Sequence, residues 1–198
     1  LVAATGESLT FTGTECHPWA GGVAGKGFAA QGNLLSGGEV VEAMVETFLT
    51  AQAPFPERLL LALKAGEEAG GDRRGKQSAA LLVEGKGYGG LWGRYVDLRV
   101  DDHPEPIDEL FRLLSLHRLL FERPKGRRPL TEEEVRFFQG VLGRLGLYAG
   151  EAHGVFDEAT ERAFLALIGM ENLEERYRGG PEVDEATLSY LKGRYGWS

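Results

Sequence analysis

The sequence predicts an α+β domain followed by a small all-α domain. Three observations lead there. Strand-like apolar runs and helix-period segments interleave up to residue 121, a basic Pro/Gly-containing stretch follows at 122–128, and beyond 129 only helix-start signatures and helix-period apolar residues remain. The expected divisions are a domain over 1–121, a linker over 122–128 and a second domain over 129–198.

The elements follow in order. Residues 1–4 and 9–12 read as two strands around a turn at 5–8, and residues 26–35 read as a strand leading into a second turn. Val40, Val41, Met44, Val45 and Phe48 recur at helical spacing, so residues 39–51 are a helix with a core face. Residues 56–69 repeat the pattern through Leu59, Leu60 and Leu63. A strand is expected over 78–84, a flexible glycine-rich tip over 85–90, and an alternating strand over 95–101 that places Asp97, Arg99 and Asp101 on one face. An apolar helix from Pro106 closes this domain. In the second domain Thr131 and Glu134 form a capping-box pattern, Leu130 and Val135 a hydrophobic staple, Asp157 caps a second helix and Asp184 begins a third.

Composition narrows the function classes. A chain of 198 residues that is 42% hydrophobic can bury a core, and none of its apolar runs has the length of a membrane span. Its net charge of −8 leaves one short basic patch, Arg123, Lys125, Arg127 and Arg128, which is not the footprint of a nucleic-acid binder. Cys16 is the single cysteine, so no internal disulfide forms, which points to the cytoplasm. Sparse Asn, Gln, Met and Cys beside abundant Glu, Arg and Leu resemble thermophile usage.

The stretch richest in chemistry is the bend over residues 70–80, where Asp72, Arg73, Arg74 and Lys76 crowd between Gly70, Gly71 and Gly75. Such a backbone can approach a ligand closely. Gly70, Gly75 and Lys76 match the spacing of a phosphate loop, but Gln77 stands where a magnesium-holding hydroxyl belongs, and the bend follows a helix and precedes a strand. No cofactor is expected. The bland alternative is a solvated turn with Asp72 paired to Arg73 or Arg74. Cys16 and His17 point to opposite sides of an extended segment, so Cys16 reads as a buried, inert thiol. Asp101, Asp102 and His103 lack metal-ligand spacing and read as capping residues ahead of Pro106; no metal is expected.

Four ordered motifs carry a resemblance: Cys16-His17-Pro18-Trp19-Ala20-Gly21, Ala30-Gln31-Gly32-Asn33-Leu34-Leu35, the bend from Ala69 to Leu81, and Val96-Asp97-Leu98-Arg99-Val100-Asp101-Asp102-His103-Pro104. Together they resemble a bacterial and archaeal family catalogued as domain of unknown function ten-twenty-eight and grouped with the N-terminal-nucleophile hydrolases, over roughly residues 1 to 118. The resemblance implies the later part of a four-layer αββα sandwich. In the wider superfamily an N-terminal Thr, Ser or Cys attacks an amide and its own amine acts as base. Leu1 has no such group, so the resemblance places the nucleophile on a segment this chain lacks. An unpartnered strand at Leu1 then calls for another polypeptide, or a second copy in a homo-oligomer, to cover its edge.

Within the matched motifs, Asn33, Asp72 and Arg73 are the candidate catalytic side chains, as oxyanion donor, orienting carboxylate and substrate cation; Asn33 equally caps its own turn. Arg74, Gln77, Ser78 and Gln31 are the candidate substrate contacts, Arg74 as a bidentate partner for a carboxylate. The second domain resembles the peptidoglycan-binding domain often appended to this family, over about residues 129 to 196. Phe156, Tyr148 and Tyr177 either line a groove for it or fill the core of a small helical domain, the latter being the expectation. Two function classes remain: an amidohydrolase acting on a small acidic or peptide-like amide, and a non-catalytic binding or assembly module.

Overall fold

The computed structural model describes residues 1–86 and 92–197. Of the tip expected over 85–90, Gly85 and Lys86 instead continue a strand, and 87–90 lie outside the described residues. Internal contacts divide the chain into two units, Leu1–Leu116 and His117–Ser198. The fold is mixed α/β, with two-stranded antiparallel pairs and six helices among the described residues.

In the first unit, β1 (Ala20–Gly25) and β2 (Phe28–Asn33) form a tight hairpin around Lys26 and Gly27, the latter at φ +79°. α1 (Glu39–Thr50) and α2 (Phe55–Glu68) follow. They approach closely because Gly66 has no side chain: a Cβ there would stand 2.7 Å from Met44 Cγ. β3 (Ala79–Lys86) then pairs antiparallel with β4 (Trp92–Val100), with the register shifting between Val83 and Glu84. α3 (Pro106–Phe121) follows.

Alternation on β3 and β4 decides which face is buried. Leu81, Val83, Val96 and Val100 pack with Leu60 of α2 and Leu110 and Leu114 of α3, while Leu82, between Leu81 and Val83, is exposed. Burying a side chain of this size contributes about 1.5–3 kcal/mol.

Two expectations for the start of the chain change. The hairpin over residues 1–12 is reduced to a turn, with a single antiparallel bridge between Val2 and Ser8 and backbone hydrogen bonds between Leu1 and Leu9. Leu1 and Phe11 are 75% and 82% exposed, so no apolar face is buried that would extend the pairing. Cys16 is exposed rather than buried, in a turn whose Cys16 N–H donates to the Gly13 carbonyl.

The second unit is mostly helical: α4 (Glu132–Arg144), α5 (Glu158–Met170) and α6 (Glu185–Tyr195). The all-helical expectation needs one amendment, because β5 (Arg128–Pro129) pairs antiparallel with β6 (Glu182–Val183). Thr131 and Glu134 close the capping box, and the Asp157 and Asp184 side chains accept the N–H groups of Thr160 and Thr187. Phe138, Phe164, Leu167 and Leu188 are fully buried, and the Phe164 ring meets those of Phe138, Phe156 and Tyr177 at 5.2, 5.9 and 5.4 Å. Two buried carboxylates are fully served. Glu134 takes Arg128 through both oxygens and Lys192 at 2.7 Å, which hold its carboxyl well below the usual range. Asp184 accepts from Arg176 Nη2 and Nε, the latter shared with Thr187, while Arg176 Nη1 donates to the carbonyls of Leu119 and Glu122. Among the described residues no helix is long and apolar enough to cross a membrane.

Candidate functional site

The bend between α2 and β3 is fixed from both sides by main-chain bonds. Gly70 and Gly71, at φ +119° and +55°, turn their N–H groups back to the carbonyls of Glu67 and Gly66 and end α2. The segment after β2 then pairs with the bend: Ser36 N–H donates to Gly71, Arg73 N–H donates to Leu34, and Leu35 bridges Asp72. On its other side the Gln77 carbonyl accepts the His103 N–H, and the Gln77 amide donates to Asp102 at 3.1 Å. Asp102 is thereby a tie for the bend rather than a cap of α3, while His103 Nδ1 accepts the N–H of Glu105 and Asp101 pairs with Arg99.

These ties open a cleft of about 580 Å³ within the first unit. The bend contributes its polar lining, Asp72, Arg74, Lys76, Gln77 and Ser78, and α1, α2 and α3 contribute Val40, Met44, Leu63 and Ile107. Glu67 of α2 also lines it.

Its charges are arranged in pairs. Asp72 clasps Arg74, accepting Nε at 3.0 Å, Nη2 at 2.7 Å and the backbone N–H at 2.8 Å. The Arg74 side chain and then its N–H hold the Asp72 carboxyl down to about 2, with Arg73 adding charge. Lys76 lies between Glu105 and Glu67, which raise its ammonium above the usual value. Burial works to raise the Glu67 carboxyl, but Lys64 and Lys76 outweigh it and hold the group below its ordinary value. Lys64 in turn bridges Glu67 and Asp108, both at 2.9 Å, and is raised by them.

Of the side chains singled out in the sequence, Asp72, Arg74, Gln77 and Ser78 line the cleft. Arg73 is exposed beside it and makes no side-chain hydrogen bond among the described residues. Gln31 and Asn33 share one exposed side of β2 and do not line the cleft. Sequence reasoning missed Glu67, and it placed Lys76 in the bend without giving it a role in the site. The Lys64/Glu67 spacing on α2 was a visible signal; the partnership of Lys76 with Glu105 had none, because it spans 29 residues. Phe156 and Tyr177 pack on Phe164, while Tyr148 is half-buried with its hydroxyl 3.1 Å from His153 Nε2. No group of three or more metal-ligating side chains occurs among the described residues.

Comparison with known proteins places this architecture. Residues 1–110 match the model described as "Family of unknown function (DUF1028)". The chain belongs to the DUF1028 family. Residues 119–191 match a model described as "Putative peptidoglycan binding domain". A crystal structure of the DUF1028 protein SPO2555 from Silicibacter pomeroyi is similar at 35% identity and a TM-score of 0.52, over 59% of this chain and 50% of that one. This chain therefore aligns with half the length of that DUF1028 relative. No curated protein matches it.

Proposed function

We propose that the cleft behind the bend binds a small acidic or peptide-like amide, as the ligand-holding side of an amidohydrolase site of the N-terminal-nucleophile type. The observation that carries the reading is the cleft itself: charged and polar side chains of a bend tied on both sides line it together with apolar side chains of α1, α2 and α3. In this reading α1, α2 and α3 belong to the outer layers of an αββα sandwich, and β1–β2 and β3–β4 belong to its two sheets. The open edges of both hairpins favour completion by further strands, from another polypeptide or a second copy. The attacking nucleophile then comes from outside the described residues. Arg73 and Arg74 supply the cations for an acidic ligand, and Gln77 and Ser78 supply polar contacts.

The second reading is a non-catalytic binding module. The Arg74 clasp holds the Asp72 carboxyl down, and a carboxylate so held orients a cation in either reading. Amide resonances of the isotope-labelled chain, followed while glutamine, N-acetylglutamate or a dipeptide amide is added, test binding. Saturable shifts at residues 71–80 are expected, and their absence overturns the cleft as a ligand site. Amine release from the same compounds by a full-length DUF1028 protein separates the two classes, since the binding module gives none.

For the second unit the supporting observation is the match over residues 119–191. The corresponding proposal is that it binds peptidoglycan. Co-sedimentation of the whole chain with insoluble peptidoglycan tests it, and a chain left entirely in the supernatant counts against it.

A further inference from the structure

Two polar edges at the cleft lack a hydrogen-bonding partner, and they have opposite charge. Asp72 occupies Nε and Nη2 of Arg74, which leaves Nη1 without a partner among the described residues. Glu67 Oε2 accepts Lys64 Nζ at 2.9 Å, whereas Glu67 Oε1 is buried and makes no hydrogen bond. Lys76 Nζ lies 3.1 Å from that oxygen, so the contact there is an ion pair without hydrogen-bond geometry. Lys76 also has Glu105 as a partner.

From this arrangement we propose that the cleft selects a zwitterionic peptide-type ligand, its carboxylate on the Arg74 Nη1 edge and its ammonium on Glu67 Oε1, with Lys76 swung onto Glu105. The inference rests on the cleft being the ligand site and narrows what enters it.

Charge matching gives the reason. Glu67, Asp72, Arg74 and Lys76 bring two charges of each sign to the lining. A purely anionic ligand adds negative charge beside Asp72 and Glu67, and a purely cationic one adds positive charge beside Arg74 and Lys76; the mismatch costs most at Glu67, the least exposed of the four, and least at Arg74, whose side chain is 71% exposed. A ligand with both ends exchanges one ammonium for another at Glu67 and fills the open guanidinium edge, so no charge is orphaned. Lys76 gives way easily. Its side chain is 40% exposed, its contact with Glu67 Oε1 is not a hydrogen bond, and exposed ion pairs contribute little. Val40, Met44, Leu63 and Ile107 then receive an apolar ligand side chain.

Titration calorimetry of the whole chain with leucyl-alanine, N-acetyl-leucyl-alanine and leucyl-alaninamide tests the proposal. The free dipeptide is expected to bind at least tenfold more tightly than either blocked form. Glu67→Gln removes the disadvantage of the acetylated form, Arg74→Gln removes that of the amide, and Lys76→Met tightens the free dipeptide several-fold by deleting the internal competitor. Circular dichroism and melting of each variant confirm that it folds. If Glu67→Gln does not fold, the exposed Lys76→Met still tests the ammonium position, since a free dipeptide that it fails to tighten overturns that placement. Equal or tighter binding of the acetylated form by the unmodified chain overturns the zwitterion preference and leaves the cleft as a ligand site. If none of the three dipeptides binds while other amides still shift residues 71–80, the preference is likewise overturned; if those amides fail too, the cleft reading falls with it.

Discussion

Asp72 holds Arg74 by three hydrogen bonds, two from the guanidinium and one from the backbone N–H, all at 2.7–3.0 Å and all inside one three-residue turn. The carboxylate thus fixes the turn and the direction of the cation together. Because the partner is two residues away, little chain entropy opposes the clasp.

The clasp sets an acid titration. The Asp72 carboxyl is held down to about 2 against an ordinary aspartate near 3.8. Its folded-state value is depressed, so the contribution it makes to stability is complete above about pH 4 and is lost as the pH falls toward 2. A carbon-13 titration of the Asp72 carboxyl is expected to show a midpoint near 2 that returns to the ordinary range in Arg74→Ala. A midpoint near 4 in the unmodified chain removes the clasp from solution.

Gly70 is expected to resist any side chain. Its φ of +119° is unfavourable for L residues, and a Cβ would meet Ser36 Oγ at 2.3 Å. Gly70→Ala should destabilise the first unit by about 1–3 kcal/mol in urea denaturation. Gly75→Ala should do less, because the space around that position is open. Equal effects of the two changes would show that backbone strain alone matters there.

In the second unit Arg176 and Asp184 have side chains only 6% and 2% exposed. Asp184→Ala removes both the α6 cap and the partner of a buried guanidinium, which should destabilise this unit by about 3–5 kcal/mol. Asp184→Asn keeps a capping oxygen and should be milder. Denaturation followed by circular dichroism ranks the two, and a loss under 1 kcal/mol for Ala contradicts the assignment.

Alkaline pH should weaken the second unit. Burial first, and then the charge of Glu161, push the Tyr177 hydroxyl up to about 12, while that hydroxyl donates to the Gly180 carbonyl at 2.6 Å. An unfolded tyrosine releases its proton near 10, so between about pH 10 and 12 the folded state holds more protons and stability falls as pH rises. Tyr177→Phe should flatten that fall and lose about 1 kcal/mol at neutral pH. An unchanged slope in the variant assigns the effect to other groups.

The sequence by itself determined what depends on near neighbours. Helical periodicity marked α1 and α2, apolar runs marked β3 and α3, alternation marked β4, and the caps Thr131, Asp157 and Asp184 stand where short-range hydrogen bonding put them. β1 escaped notice because its glycine- and alanine-rich residues have little strand preference of their own; pairing with β2 makes the strand. The reverse happened at residues 1–12, where strand-like residues bury no face and only one bridge forms. Within the site, the sequence marked the bend and a pairing of Asp72 with Arg73 or Arg74, both local; the structure chose Arg74. Tertiary structure alone decided that Lys76 stands between Glu67 and Glu105, that Gln77 is tied to Asp102, and that Asn33 stays outside the cleft while Glu67 enters it. Those relations join groups up to 29 residues apart, and only the packing of α2 against β3 and the path of the chain into α3 bring such groups within ion-pair distance.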